Sequence, residues 1–253
     1  MPYATCTCTI NSGENNYRQN YNFFSAHFLI DMNTAQFGPG GWDLLHVLAA
    51  RYNPRKQKSL YRSFYIGLKD ILPCKFCRRS YSQYIRELPV EQWLNSSKNM
   101  QKFTYLMHNK VNQKLRKQGL NDRKDPDFSC VYDRYRYRNH FDEKVWTFLY
   151  AIVFNFPTDD PKKVAVYHRF FETLAQIHPH RKIWVHCMKS YPIPTTRNGL
   201  IVWAYRLHCD TNKDMHRPIP CFHSVWKSIE AIRAKCGNKT CRKPLLTGDK
   251  IQY

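Results

Sequence analysis

The chain has 253 residues, with 40 Lys and Arg against 19 Asp and Glu and a formal net charge of +21. That length holds one large or two small domains with ample buried core, and two is the preferred division. The charge suits a polyanion-binding surface, but the basic residues spread over most predicted elements and no nucleic-acid motif accompanies them, so nucleic-acid binding stays open as a rival reading.

Residues 1–36 are polar and irregular and read as a mobile arm carrying Cys6-Thr7-Cys8. A CxC pair on such an arm can shuttle electrons to a buried redox site, or be two idle surface thiols. Gly38-Pro39-Gly40-Gly41 reads as a break before a helix over Trp42–Ala50, in which Trp42, Leu45 and His46 are neighbours. Pro54 ends that element. Leu60, Phe64, Leu68, Ile71 and Leu72 recur at helical spacing in a second helix over residues 58–72. A third is expected from Cys74 to about Leu88, carrying Tyr81 and Tyr84, with a short turn or helix after Pro89. Asn95-Ser96-Ser97 can cap a fourth, Lys98 to Gln118, and Gly119 stops it. Phe103, Met107, Val111 and Leu115 form its apolar stripe, with His108 and Asn112 adjoining. Scarce glycine and spacings of three and four make the class all-α.

The start, Met-Pro-Tyr-Ala-Thr-Cys, lacks a charged segment followed by an apolar core, so no secretory signal is expected. The longest apolar-rich run, Val145 to Phe156, is too short to span a bilayer, and no membrane partner is expected. Ten cysteines in a chain made in the cytosol point to redox or reduced thiols rather than a secreted scaffold. Pro73-Cys74-Lys75-Phe76-Cys77-Arg78-Arg79 places a CxxC pair where the first turn of a helix and two arginines favour a thiolate. The motif alone leaves three readings: a redox dithiol, half a zinc site, or inert thiols. No second CxxC exists, since four residues separate Cys236 and Cys241, so the usual paired zinc knuckle is missing. A helical run precedes the motif, whereas a thioredoxin requires a strand there.

Taken together, Trp42-x-x-Leu45-His46, Pro73-Cys74-x-x-Cys77 and His108-Asn109-x-Val111-Asn112-x-x-Leu115-x-Lys117 closely resemble the Erv/ALR family of FAD-dependent sulfhydryl oxidases, over residues 37–138. Cys-Lys-Phe-Cys-Arg-Arg-Ser-Tyr and the Leu-Arg-Lys-Gln-Gly ending look like the versions encoded by large DNA viruses. The resemblance implies a four-helix bundle with a short fifth helix, holding FAD against the CxxC. By matched position, Cys77 lies next to the flavin and Cys74 exchanges with the incoming dithiol. Trp42, His46, Tyr81, His108, Asn109, Val111, Asn112, Leu115 and Lys117 contact the cofactor, joined by Arg136 and Tyr137, with Tyr135 as the other register. The implied partners are protein dithiols, of thioredoxin-like or virion proteins, with O2 as acceptor and H2O2 as product. A homodimer is among the implied assemblies, and the implied setting is a viral disulfide pathway in the host cytoplasm or the virion. Two departures stand out. Tyr105 replaces a cysteine that the family bonds to the position of Cys130, and Pro39 replaces an arginine that contacts the flavin.

Residues 139–253 read as a second helical domain, a pseudo-Erv copy followed by a tail. Trp42, Leu45, His46 and Tyr52 match Trp146, Leu149, Tyr150 and Phe156 at one constant offset. Tyr61, Phe64, Leu68, Ile71 and Pro73 match Tyr167, Phe170, Leu174, Ile177 and Pro179 at another, two residues larger. In that register Cys74 becomes His180 and Cys77 becomes Ile183, while Tyr205-Arg206-x-His208-Cys209 aligns roughly with the His108 run. His178, His180, His186, Cys187, His208, Cys209, Cys221 and His223 form no recognised zinc pattern, and no metal is expected.

Overall fold

The structure, a computed structural model, describes residues 34–157 and 160–231; Cys6, Cys8, Cys236 and Cys241 lie outside them. The described chain is all-α, as its periodicity predicts. The first half comprises α1 (Thr34–Ala50), α2 (Lys58–Ile71), α3 (Lys75–Glu87), a 3-10 turn (Val90–Trp93), α4 (Ser97–Lys117) and α5 (Phe128–Tyr135). The second comprises α6 (Lys144–Phe154), α7 (Pro161–Ile177), α8 (Arg181–Ser190), α9 (Arg197–Asp214) and α10 (Phe222–Ala231).

The start of α1 differs from the sequence reading. The Gly38–Gly41 stretch does not break the chain; α1 runs through it with Pro39 inside. Proline there removes one intrahelical bond close to the helix start, where interruption costs least. The glycines are needed for approach: a Cβ on Gly40 would stand 1.9 Å from the Lys144 carbonyl oxygen, and one on Gly41 3.0 Å from the Phe148 ring. Glycine at these positions lets α6 lie directly on α1.

The ends of α4 follow its sequence signals. The Ser96 hydroxyl accepts from the Asn99 N–H at 3.1 Å. At the other end Gly119, at φ 64, carries the chain into a left-handed turn. There the Leu120 N–H reaches the Leu115 carbonyl at 2.9 Å, closing the helix. Three tyrosines tie the first bundle together through their hydroxyls. Tyr61 donates to the Leu48 carbonyl (2.7 Å), Tyr65 to that of Leu45 (2.9 Å) and Tyr81 to that of Tyr65 (2.9 Å).

In the first half α1 packs on α4, α2 on α3 and α3 on α4; in the second α6 packs on α9, α7 on α8 and α8 on α9. The halves meet where α1 lies on α6 and α2 on α7. Phe37 meets Phe148 and Phe64 stacks on Phe170 across this seam, at ring separations of 6.1 and 5.4 Å. No described helix is long and apolar enough to cross a membrane.

Candidate functional site

Trp42 and His46 leave α1 one turn apart, and His108 and Asn112 leave α4 with the same spacing, so each pair shares a face. The α1–α4 packing brings these faces together. The His108 ring stacks on Trp42 at 3.9 Å with 9° between planes, and His46 stacks on Tyr135 at 4.7 Å. His46 Nε2 and His108 Nδ1 are 3.3 Å apart, a contact that needs one nitrogen protonated and the other bare.

Both imidazoles are held neutral. Burial, then the neighbouring His108 and Arg134, pushes His46 down to about 3. Burial lowers His108 to about 4, against the opposing pull of Asp125. In the unfolded chain both titrate near 6.5, so between there and about 4 the unfolded state binds more protons and stability rises with pH. This contribution is whole above pH 6.5 and is lost as pH falls towards the folded values. Burial depresses His178 and His208 as well and adds to the same slope. The urea midpoint of the flavin-free chain is therefore expected to fall steadily from pH 7 to pH 5, each such histidine costing about 1.4 kcal/mol per pH unit below 6.5. A flat midpoint over that span would overturn this reading of the ring cluster.

Asn112 donates its amide to Asp125 at 2.8 Å, and Arg116 grips the same carboxylate at 3.1 and 2.7 Å. Arg116, and after it Asn112, hold the Asp125 carboxyl below the usual range despite its partial burial. Asn109, Val111 and Leu115 are half-buried on α4, and Lys117 is exposed at its end. Tyr81 is buried with its hydroxyl inside the bundle, so it anchors α3 on α2. Of the two candidate tyrosines, Tyr135 at the end of α5 joins the ring cluster, whereas Tyr137, two residues beyond, is 81% exposed beside Arg136. The short α5 brings only the nearer tyrosine round to His46.

The sequence reading passed over one residue. Asp43, 8% exposed, binds Arg138 at 2.6 Å and the Asp142 N–H at 2.9 Å, tying α1 to the segment that enters α6. Its signal was legible: it is the sole acid in the α1 sequence, set between Trp42 and Leu44.

Cys74 is the N-cap of α3, not its first helical residue, and its sulfur accepts from the Cys77 N–H at 3.3 Å. Arg78 donates to the Leu72 carbonyl at 2.5 Å, which holds the turn before the motif. Cys74 is 5% exposed and Cys77 half-buried. Cys130 is exposed on α5. Where the family pattern has a cysteine opposite it, Tyr105 donates its hydroxyl to the Pro126 carbonyl at 3.0 Å and packs on Phe128 at 5.4 Å. A hydrogen bond and a ring contact thus hold α5 to α4.

The architecture is a helical bundle with a dithiol at a helix N-terminus and a cluster of planar rings between α1, α4 and α5. The model of the Erv1 / Alr family matches residues 39–135. The mitochondrial FAD-linked sulfhydryl oxidase of Saccharomyces cerevisiae is 32% identical over 111 residues, which cover 43% of this chain and 53% of that protein. A probable FAD-linked sulfhydryl oxidase of Acanthamoeba polyphaga mimivirus is 34% identical over 85 residues, 32% of this chain and 59% of the relative. An FAD-linked sulfhydryl oxidase of African swine fever virus is 31% identical over 84 residues, 32% of this chain and 69% of the relative. The chain belongs to the Erv1 / Alr family. It spans little more than half the length of the yeast and mimivirus relatives. No solved structure matches it.

Proposed function

We propose that the protein is an FAD-linked sulfhydryl oxidase that forms disulfides in protein dithiols with O2 as electron acceptor. The observation that carries this reading is the CxxC at the start of α3 in a bundle whose α1–α4 face presents Trp42, His46, His108 and Tyr135 as stacked rings. That donor set fits a flavin dinucleotide: the rings offer flat surfaces, the neutral imidazoles offer hydrogen bonds without charge, and Lys117 and Arg136 supply cations for a diphosphate. The names of the yeast, mimivirus and swine-fever-virus relatives support the same cofactor and activity.

A substrate thiolate attacks Cys74 Sγ of the Cys74–Cys77 disulfide, forming a mixed disulfide and releasing Cys77 as thiolate. The second substrate thiolate attacks the substrate sulfur, so the substrate leaves as disulfide and Cys74 as thiolate. The N-terminus of α3 and the Cys77 N–H stabilise charge on Cys74. Because Cys74 is the more buried sulfur, a protein thiol reaches it by displacing part of its cover. The chemistry FAD supplies when bound is acceptance of two electrons from the dithiol and their delivery to O2, giving H2O2.

The first test is flavin absorbance of the purified chain with dithiol-driven oxygen uptake. Colourless protein with tight, salt-sensitive DNA binding would favour the basic-protein reading instead. His108→Ala with Asn112→Ala should lower flavin content after dialysis, since the Trp42 stack and the Asp125 tether go together; unchanged occupancy would mean the ring face is not the cofactor site.

The Cys6–Cys8 shuttle, a setting in the host cytoplasm or virion, and a viral disulfide pathway belong to the same proposal. The viral relatives support the latter two. We also read residues 139–253 as a degenerate copy of 37–138. The matching helix order and packing support this, as do the Trp146–His208 stack at 4.2 Å and the Tyr150–His208 hydrogen bond at 3.1 Å. In this reading His208 rather than Tyr205 is the counterpart of His108, and Asn212 that of Asn112, three residues from the register read in the sequence; the stack of His208 on Trp146 supports it.

A further inference from the structure

The loop between α4 and α5 folds back along α4 and delivers one carboxylate to it. Gly119 turns the chain at the helix end, and beyond it the Arg123 N–H donates to Asn121 Oδ1 at 3.0 Å. Asparagine makes such turns readily, with its side chain standing in for a backbone acceptor. Two side chains of α4 then hold the returning chain. Arg116 Nη1 donates to the Arg123 carbonyl at 3.1 Å, and the Tyr105 hydroxyl to the Pro126 carbonyl at 3.0 Å. Between these anchors Asp125 meets the helix. Its Oδ1 accepts from Asn112 Nδ2 at 2.8 Å and from Arg116 Nη1 at 3.1 Å, and its Oδ2 from Arg116 Nη2 at 2.7 Å.

Asn112 stands one turn of α4 beyond His108 and Arg116 one turn beyond Asn112, so the three follow one face of the helix. Arg116 alone suffices to fasten the loop, since it grips both carboxylate oxygens and a carbonyl. The bond to Asn112 has a separate consequence. A carboxylate only accepts, so it selects the NH2 end of the amide; the flipped amide would set its oxygen against a negative charge. Asn112 is thereby held in one of its two orientations, with Oδ1 turned away from Asp125.

We propose that Asp125 is a positioning residue for the flavin cofactor and acts through Asn112, by fixing the amide oxygen as an acceptor for a donor of the dinucleotide. The inference rests on the FAD reading of the ring face. FAD carries N–H donors on both of its ring systems and hydroxyls between them, so a fixed acceptor has groups to meet. An amide already oriented by the fold binds more tightly than one that must be oriented by the ligand, because that ordering is not charged to binding.

The test is the dissociation constant of FAD from the full-length protein, read from the flavin released on serial dilution. Asp125→Ala and Asn112→Ala should each weaken FAD about tenfold, the effect of roughly one hydrogen bond. The double variant should be no weaker than Asn112→Ala, because without the amide Asp125 has nothing to position. Asp122→Ala removes an exposed carboxylate from the same loop and should leave FAD binding unchanged. Additive losses in the double variant would make Asp125 a fastener of the loop and overturn the proposal. Tighter FAD binding by Asp125→Ala, or an equal loss in Asp122→Ala, would show that the loop acts through charge and would overturn it too. A parent chain that takes up no FAD overturns the oxidase reading together with this inference, whereas a parent that binds FAD and gives any of those outcomes overturns this inference alone.

Discussion

Cys77→Ser should keep its flavin and lose dithiol-driven oxygen uptake down to background. Cys77 is half-buried on the first turn of α3, and serine there changes one atom without opening a cavity, so folding and cofactor retention should survive. Turnover should not, because no disulfide can form with Cys74. Cys74→Ser should be equally inactive and equally well folded for a particular reason. Cys74 is the N-cap of α3, its sulfur taking the Cys77 N–H, and serine is a stronger cap than cysteine at such a site. Loss of activity with a preserved or raised melting temperature would separate the redox role of this sulfur from its structural one. Near-normal oxygen uptake in either variant would sink the mechanism.

Much of this site was legible because its residues sit on amphipathic helices. The apolar stripe of α4 fixed the phase that puts His108 and Asn112 on one face, and Ser96 and Gly119 marked its ends. The second half was harder for a physical reason. In α9, Leu200, Ile201, Trp203, Ala204, Tyr205, Leu207 and His208 are all buried, so no single stripe sets the register. A three-residue shift leaves the apolar pattern almost as good, so the stripe does not decide whether Tyr205 or His208 is paired with His108. Gly38–Gly41 misled in another way. Glycine and proline read locally as a break, but here a neighbouring helix settles the conformation, and no local rule contains the Lys144 carbonyl. Tyr135 is the last residue of α5 and Tyr137 lies just past it, so which of them reaches the rings depends on where the helix ends, which spacing alone does not specify.

The same close approach yields the largest expected effect on stability. Gly40→Ala would add a methyl group 1.9 Å from the Lys144 carbonyl oxygen and 2.6 Å from its carbon. These are backbone atoms at the start of α6, so no side chain can rotate aside; α6 must move away from α1 or α1 must bend. Overpacking of this kind costs about 1–3 kcal/mol and more where backbone must shift, while the gain in helix propensity returns at most about 1 kcal/mol. The net change should be destabilising, and it should act on the seam between the halves, where Phe148 of α6 meets Phe37 and Gly41 of α1. Gly38 is the internal control. A Cβ there meets nothing within 4 Å, so Gly38→Ala should stabilise by roughly 0.5–1 kcal/mol through helix propensity alone. Urea unfolding of the two variants against the parent decides the matter. Opposite signs are expected, with Gly40→Ala also exposing apolar surface to a dye such as ANS before global unfolding. If Gly40→Ala were as stable as Gly38→Ala, the two halves would not be joined through an α1–α6 contact this close.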